Sequence, residues 1–153
     1  MNRRLTLSLS FILSLFISIN THAADDDNKV IQWTQNTLVT TLSVSYQENP
    51  DYYQFIQSCY TYNARTALHD FLGGKMDIIK SRQLTLHPQL KGPAKILESG
   101  VINNSNFFDG VQWWRITQVI WIPELNRTVE FAVTVLETTQ KTYLIQALDM
   151  KLY

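Results

Sequence analysis

GVQWWRITQVIWI, residues 110–122, is the stretch on which the fold turns. After Gly110 the side chains separate into two sets with a period of two. One side carries Gln112, Trp114, Ile116, Gln118, Ile120 and Ile122; the other carries Val111, Trp113, Arg115, Thr117, Val119 and Trp121. That period belongs to an extended strand, whose successive side chains point to opposite faces. Both faces are substantially apolar, so neither suits full exposure to water. The reading that follows is a curled sheet with one face wrapped round helices and the other partly covered by something else.

Downstream, the same period recurs after short breaks. Pro123-Glu124-Leu125-Asn126 turns the chain, and Thr128–Glu137 is the next strand, with Val129, Phe131, Val133 and Val135 on one face. Thr138–Lys141 turns again, and Thr142–Leu152 is the last strand, with Leu144, Leu148, Met150 and Leu152 on one side. Upstream, Ala94–Ile102 reads as a strand, Lys91-Gly92-Pro93 as a turn, Gln83–His87 as a short strand stopped by Pro88, and 103–106 as a loop. Connections this short between sequential strands favour an antiparallel meander.

Before residue 83 the period is helical. Asp25, Asp26 and Asp27 suit a helix start, where negative charge meets the positive end of the macrodipole. From Asn28 to about Tyr46, Ile31, Leu38, Val39, Leu42 and Tyr46 recur at helical spacing, although Thr41–Tyr46 also reads as a strand. Asn49-Pro50 is an N-cap followed by a residue tolerated at the first helical position, and Tyr52, Phe55, Ile56 and Cys59 then share a face. A third helix covers about 63–72, ended by Gly73-Gly74, with Lys75–Lys80 as an additional turn. Helices first and strands after make the class α+β.

The N-terminus addresses compartment. Asn2, Arg3 and Arg4 precede an apolar stretch from Leu5 to Ile19, and small residues Thr21 and Ala23 stand three and one before the bond Ala23–Ala24. That layout is a secretory signal peptide over 1–23, cleaved after Ala23. An uncleaved inner-membrane anchor is the competing reading, but a spanning helix needs roughly 20 apolar residues. The remaining 24–153 form one domain, with 11 basic and 13 acidic residues and so a formal charge of −2. Without clustered Lys and Arg, nucleic acid and anionic membrane surfaces are poor partners. No second apolar span follows. Cys59 is the single cysteine, so no internal disulfide forms. It reads as a small apolar residue rather than as an intermolecular bridge or reactive thiol.

Several of these features together resemble the periplasmic domain of the IcmL/DotI proteins of Dot/Icm-type (type IVB) secretion systems. The residues that carry the resemblance are Trp33 leading a helix, Asn49–Tyr53, Cys59-Tyr60-Thr61 before a short helix, Gly100 in ESGVI, and Trp114 in the following strand. It spans roughly Trp33 to Glu137. The resemblance implies a cone-shaped domain like nuclear transport factor two, with N-terminal helices packed in a curled antiparallel sheet. It also implies an assembly role in the cell envelope rather than catalysis. A cleavable signal departs from the membrane anchor of the family's machine components and points to a free periplasmic paralogue or accessory protein.

The residues offer little chemistry. His69 and His87 make no metal spacing with Cys59, and no Gly-rich phosphate loop is present. His69 and Asp70 are adjacent on a helix and do not form a base–orienter pair. Asn103-Asn104-Ser105 and Asn126-Arg127-Thr128 match the glycosylation pattern but would be inert in a bacterium. We therefore assign no catalytic, metal or cofactor site. A cone fold can hold an acid–base pocket, for which Glu130 and Asp149 are the candidates by strand position; both alternate with residues away from the apolar faces. The alternative function is thus a small-ligand-binding or isomerase-like protein with an internal pocket. A third is an effector released beyond the periplasm. Trp113, Arg115 and Trp121 share one face of the 111–122 strand, and Trp and Arg are enriched at interface hot spots. That face meets other envelope or secretion-system proteins or a second copy, or else is covered by the N-terminal helix or the chain's own loops. Trp114, on the opposite face, is core.

Overall fold

The structure is a computed structural model that describes residues 25–47, 49–103 and 109–153. The leader assigned to 1–23 and residues 104–106 of the loop lie outside the described residues. The described chain forms three helices and then a four-stranded antiparallel sheet in the order of the sequence. The helices are α1 (25–42), α2 (Pro50–Cys59) and α3 (Tyr62–Ser81). The strands are β1 (Gln89–Val101), β2 (Gln112–Ile122), β3 (Arg127–Glu137) and β4 (Tyr143–Leu152), and the open sheet runs β1-β2-β3-β4. The α+β class and the meander are as the periodicity requires.

The acidic start of α1 behaves as expected, with Lys29 bridging back to Asp25 at 2.6 Å. The helix stops at residue 42 rather than running to Tyr46. Residues 44–46 then extend and pair with 84–86, through Leu86 N–H to the Val44 carbonyl (2.8 Å) and Tyr46 N–H to the Leu84 carbonyl (2.9 Å). The strand expected over Gln83–His87 is reduced to this one contact, a single antiparallel bridge between Ser45 and Thr85. The face of α1 that is sealed consists of Val30, Thr34, Thr37, Leu38, Thr41 and Leu42. Threonines hold half of it, and Tyr46 is exposed.

In α2, Asn49 caps the helix by accepting from Asp51 N–H at 3.0 Å, and Pro50 occupies the first turn. Tyr52, Phe55, Ile56 and Cys59 form its half-buried side.

The third helix corrects the expectation of a stop at Gly73-Gly74. It continues through both glycines to Ser81, because Ile79, in the part beyond them, is fully buried and anchors the extra turns. The left-handed residue that ends it is Gln83 (φ 52°). Leu84 N–H reaches the Ile79 carbonyl (2.9 Å) and Gln83 N–H the Lys80 carbonyl (3.2 Å), the pair of bonds that defines a Schellman terminus.

Lys91-Gly92-Pro93 is likewise not a turn. It lies inside β1, where the pairing with β2 shifts between Lys91 and Lys95. The extra residues form a bulge, with Gly92 left-handed (φ 70°). Proline is tolerated because β1 is an edge strand and need not donate on its outer side. The bulge leaves the Gly92 carbonyl off the ladder, and the buried amide of Gln118 donates to it (3.3 Å) and to the Val119 carbonyl (2.7 Å). Gln118 Oε1 in turn accepts from Gln35 Nε2 at 2.7 Å, tying α1 to the sheet.

On β2 and β3 the inner face is as the period predicts: Trp114, Ile116, Gln118, Ile120, Ile122, Val129, Phe131, Val133 and Val135 are all buried. Phe71 of α3 meets Phe131 edge-on, with ring centroids 6.0 Å apart. Trp33 of α1, Tyr143 and Trp114 make a second aromatic chain, at 5.5 and 5.8 Å.

β4 departs from simple alternation. Its register against β3 slips between Thr134 and Val135, whose partners are Ala147 and Ile145, leaving Gln146 as the extra residue. The phase therefore changes within the strand. Ile145 and Leu148 are both buried, whereas Leu144, expected on the same side as Leu148, falls on the other face and is not. The α2–α3 linker binds at this bulge. Tyr60 pairs in parallel with Ile145, Thr61 N–H donates to the Ile145 carbonyl (2.9 Å), and Thr61 Oγ1 donates to the Gln146 carbonyl (2.9 Å).

Candidate functional site: the outer face of the sheet

The face of the sheet opposite the helices is organised by the cross-strand register. Trp113 stands between Gly100 and Leu136, Arg115 between Glu98 and Thr134, Thr117 between Lys95 and Ala132, Val119 between Lys91 and Glu130, and Trp121 between Gln89 and Thr128. The structure thus brings Trp113, Arg115 and Trp121 onto one surface, with the two indoles eight residues and so about 27 Å apart along the strand. Between them lies a band of both charge signs.

Trp113 and Trp121 are half-buried and Arg115 is exposed. Arg115 Nη2 approaches Asp149 Oδ2 at 3.4 Å, with both side chains open to water. A pair of that kind orients the guanidinium but adds little stability. Gly100 has a definite role beside Trp113. A Cβ at residue 100 would lie 3.2 Å from the indole Nε1, so the glycine lets the ring rest against the neighbouring strand. Leu136, opposite Trp113, is buried even though it lies on this outer side.

The other pocket candidate, Glu130, also lies on this surface. Its Oε2 accepts from the Tyr153 hydroxyl at 2.6 Å. Neither Glu130 nor Asp149 points toward the helices, so neither lines a cavity between the layers.

The histidines are placed by other forces. His69 Nδ1 and Asp70 Oδ1 are 3.7 Å apart, beyond hydrogen-bond reach, with both side chains exposed. His87 is engaged in a way its sequence position does not reveal. Its backbone N–H donates to Glu124 Oε2 (3.0 Å), and its Nδ1 bonds Glu124 Oε1 (2.7 Å). Burial pushes the Glu124 carboxyl up, but the bonds from the His87 backbone and ring outweigh it, and the group sits below the usual carboxylate range. The contact joins residues 37 apart, so no local motif could have shown it. Among the described residues no cluster of three His, Cys, Asp or Glu side chains could hold a metal ion. None of their helices is long and apolar enough to cross a membrane. Asn126 of the second glycosylation pattern is the left-handed residue closing the single-turn 3-10 helix Pro123–Leu125. Asn104 and Ser105 of the first lie outside the described residues.

Helices followed by an open four-stranded antiparallel sheet define the class of fold. Three solved structures share it. The periplasmic domain of DotI superposes with a TM-score of 0.59 at 16% identity, covering 82% of this chain and 94% of its own. A periplasmic fragment of TraM gives 0.63 at 13% identity, covering 82% and 96%. An IcmL-like type IV secretion system protein from Legionella pneumophila gives 0.61 at 8% identity, covering 82% and 92%. The chain therefore has the IcmL/DotI-type fold that the spaced aromatics imply. No family model matches the sequence, and no curated protein matches it.

Proposed function

We propose that this protein is an exported, non-enzymatic interaction module of the periplasm, attached to a type IVB secretion apparatus or derived from one of its components. One observation carries the reading: two tryptophans and an arginine are displayed on the solvent side of β2, in a fold shared with periplasmic domains of secretion proteins. Half-buried Trp and exposed Arg on one face favour contact with another protein, because the indole offers a large rigid area and the guanidinium several hydrogen bonds. The partner is another envelope or secretion-system protein, or a second copy of the chain. The mixed charge of the band between the indoles supports a protein surface over nucleic acid.

The test is affinity capture from envelope fractions with the wild type and with a double variant carrying Arg115→Ala and Trp121→Ala. Partner recovery should fall by roughly tenfold or more, the loss of one hot-spot contact or better, while the melting temperature stays within a few degrees. Undiminished recovery with the folded variant removes this face from the proposal.

A further inference from the structure

A cleft away from the β2 outer face combines positive charge with apolar walls. It lies between the C-terminal half of α3, the 3-10 turn and the ends of β3 and β4. Its volume is about 370 Å³, and it is lined by Lys75, Ile78, Arg82, Glu124, Leu125, Arg127 and Leu152. That volume is within the range of small-molecule sites, roughly 300–1,000 Å³.

Its charges are unbalanced. Three cations meet there with one carboxylate, and that carboxylate is already in use. Glu124 Oε2 takes the His87 backbone N–H and Glu124 Oε1 takes the His87 ring. Among the described residues, neither Arg82, Arg127 nor Lys75 forms a salt bridge. Lys75 is held in place without a counter-ion. Its Nζ donates to the Phe71 carbonyl at 2.8 Å and sits 4.0 Å from the centroid of the Phe71 ring. The apolar walls are equally unfinished: Ile78 is 41% exposed and Leu152 50% exposed, and both line the cleft.

We propose that this cleft binds an amphiphilic organic anion, with a carboxylate or phosphate group set among Lys75, Arg82 and Arg127 and an apolar portion laid over Ile78, Leu125 and Leu152. Burial, together with the neighbouring Arg127 charge, lowers the affinity of Lys75 for its proton, a penalty that a bound anion would relieve. The guanidinium groups supply planar, forked donors suited to either oxyanion. The inference is independent of the interaction face on β2, because it uses none of the same residues.

Calorimetric titration of the purified full chain tests it, with sodium octanoate below its micelle concentration as the probe. Octanol, octylammonium and inorganic phosphate separate the two halves of the recognition. Octanoate should bind roughly tenfold more tightly than octanol, the worth of a charge-assisted contact, and octylammonium should not bind. Arg127→Gln and Arg82→Gln should each weaken octanoate by roughly fivefold with an unchanged melting temperature, since both side chains are exposed. Absence of octanoate binding, equal binding of octanol or octylammonium, or indifference to both substitutions overturns the proposal. Phosphate binding as tightly as octanoate overturns its apolar half, and weaker phosphate binding at the same residues supports it. Capture of envelope partners should be the same for Arg127→Gln as for the wild type, so failure here is distinct from failure of the interaction face.

Discussion

Thr41 accepts the Tyr52 hydroxyl on its backbone carbonyl (2.8 Å) and exchanges a 2.7 Å bond with the Tyr60 hydroxyl through Oγ1. Two phenols from the α2 region thus converge on one residue of α1. Burial raises both, Tyr52 to about 12 and Tyr60 further. The folded protein therefore holds these protons more tightly than the unfolded chain does. Their contribution is complete below the ordinary phenol value of about 10 and is lost as pH rises through the folded values. Urea denaturation across that alkaline window should show stability falling with pH, and falling less steeply in Tyr60→Phe. At neutral pH the same substitution should cost about 1–2 kcal/mol, because it strands the buried Thr41 hydroxyl. Thr34 is the opposite case. It is fully buried, and its Oγ1 has no hydrogen-bond partner among the described residues. Thr34→Val keeps the shape and removes the stranded group, so it should raise the urea midpoint by the equivalent of about 1 kcal/mol.

Among the elements, α3 has its glycines in the wrong place for its own stability. Gly73 and Gly74 sit in the helix interior, and a Cβ at either would meet nothing within 4 Å. The left-handed position at the end is occupied instead by Gln83. Gly73→Ala and Gly74→Ala should each stabilise by about 0.5–1 kcal/mol, and Gln83→Gly by a similar amount, all measurable as shifts in melting temperature. If the alanines destabilise, the helix does not run unbroken through residue 74. The bulges in β1 and β4 are of a different kind. The bulge at Gly92 and the one at Gln146 each have a partner that completes them: Gln118 for the Gly92 carbonyl, and Thr61 for the Ile145 and Gln146 carbonyls. An unpaired backbone carbonyl is thereby turned into a link between the sheet and the helices.

For the whole molecule, the arrangement separates three surfaces: the helix-covered side of the sheet, the outer side with its tryptophans, and the cationic cleft at the end of α3. The first is closed by packing, as Phe71 against Phe131 shows. The other two face water and are where partners or ligands would act. The proposed periplasmic role requires export, and residues 1–23 are the expected leader. The protein recovered from cells should therefore begin at Ala24, as read by intact mass and N-terminal sequencing, and should be released from the periplasm without detergent. A chain beginning at Met1 and retained in the inner membrane would mean that the apolar N-terminus anchors it instead.

Local signals were enough for the meander of β2 and β3, whose unbroken period of two fixes which side chains are buried, and for the start of α2, where Asn49 and Pro50 act within one turn. The same parity alone puts Trp113, Arg115 and Trp121 on one face. It failed where chain segments far apart in sequence compete for the backbone. Gly73-Gly74 reads as a stop until Ile79 is seen buried beyond it, and Gly92-Pro93 as a turn until β2 pairs with both sides of it. Leu144 reads as sharing a face with Leu148 until Gln146 bulges out and reverses the phase. The His87–Glu124 bond and the link from Gln35 through Gln118 to Gly92 have no local signature at all. Periodicity reports which face of an element is apolar because neighbouring residues share a backbone geometry. Bulges, long-range polar bonds and the balance of charge in a cleft depend on which distant groups arrive beside it, and packing sets that.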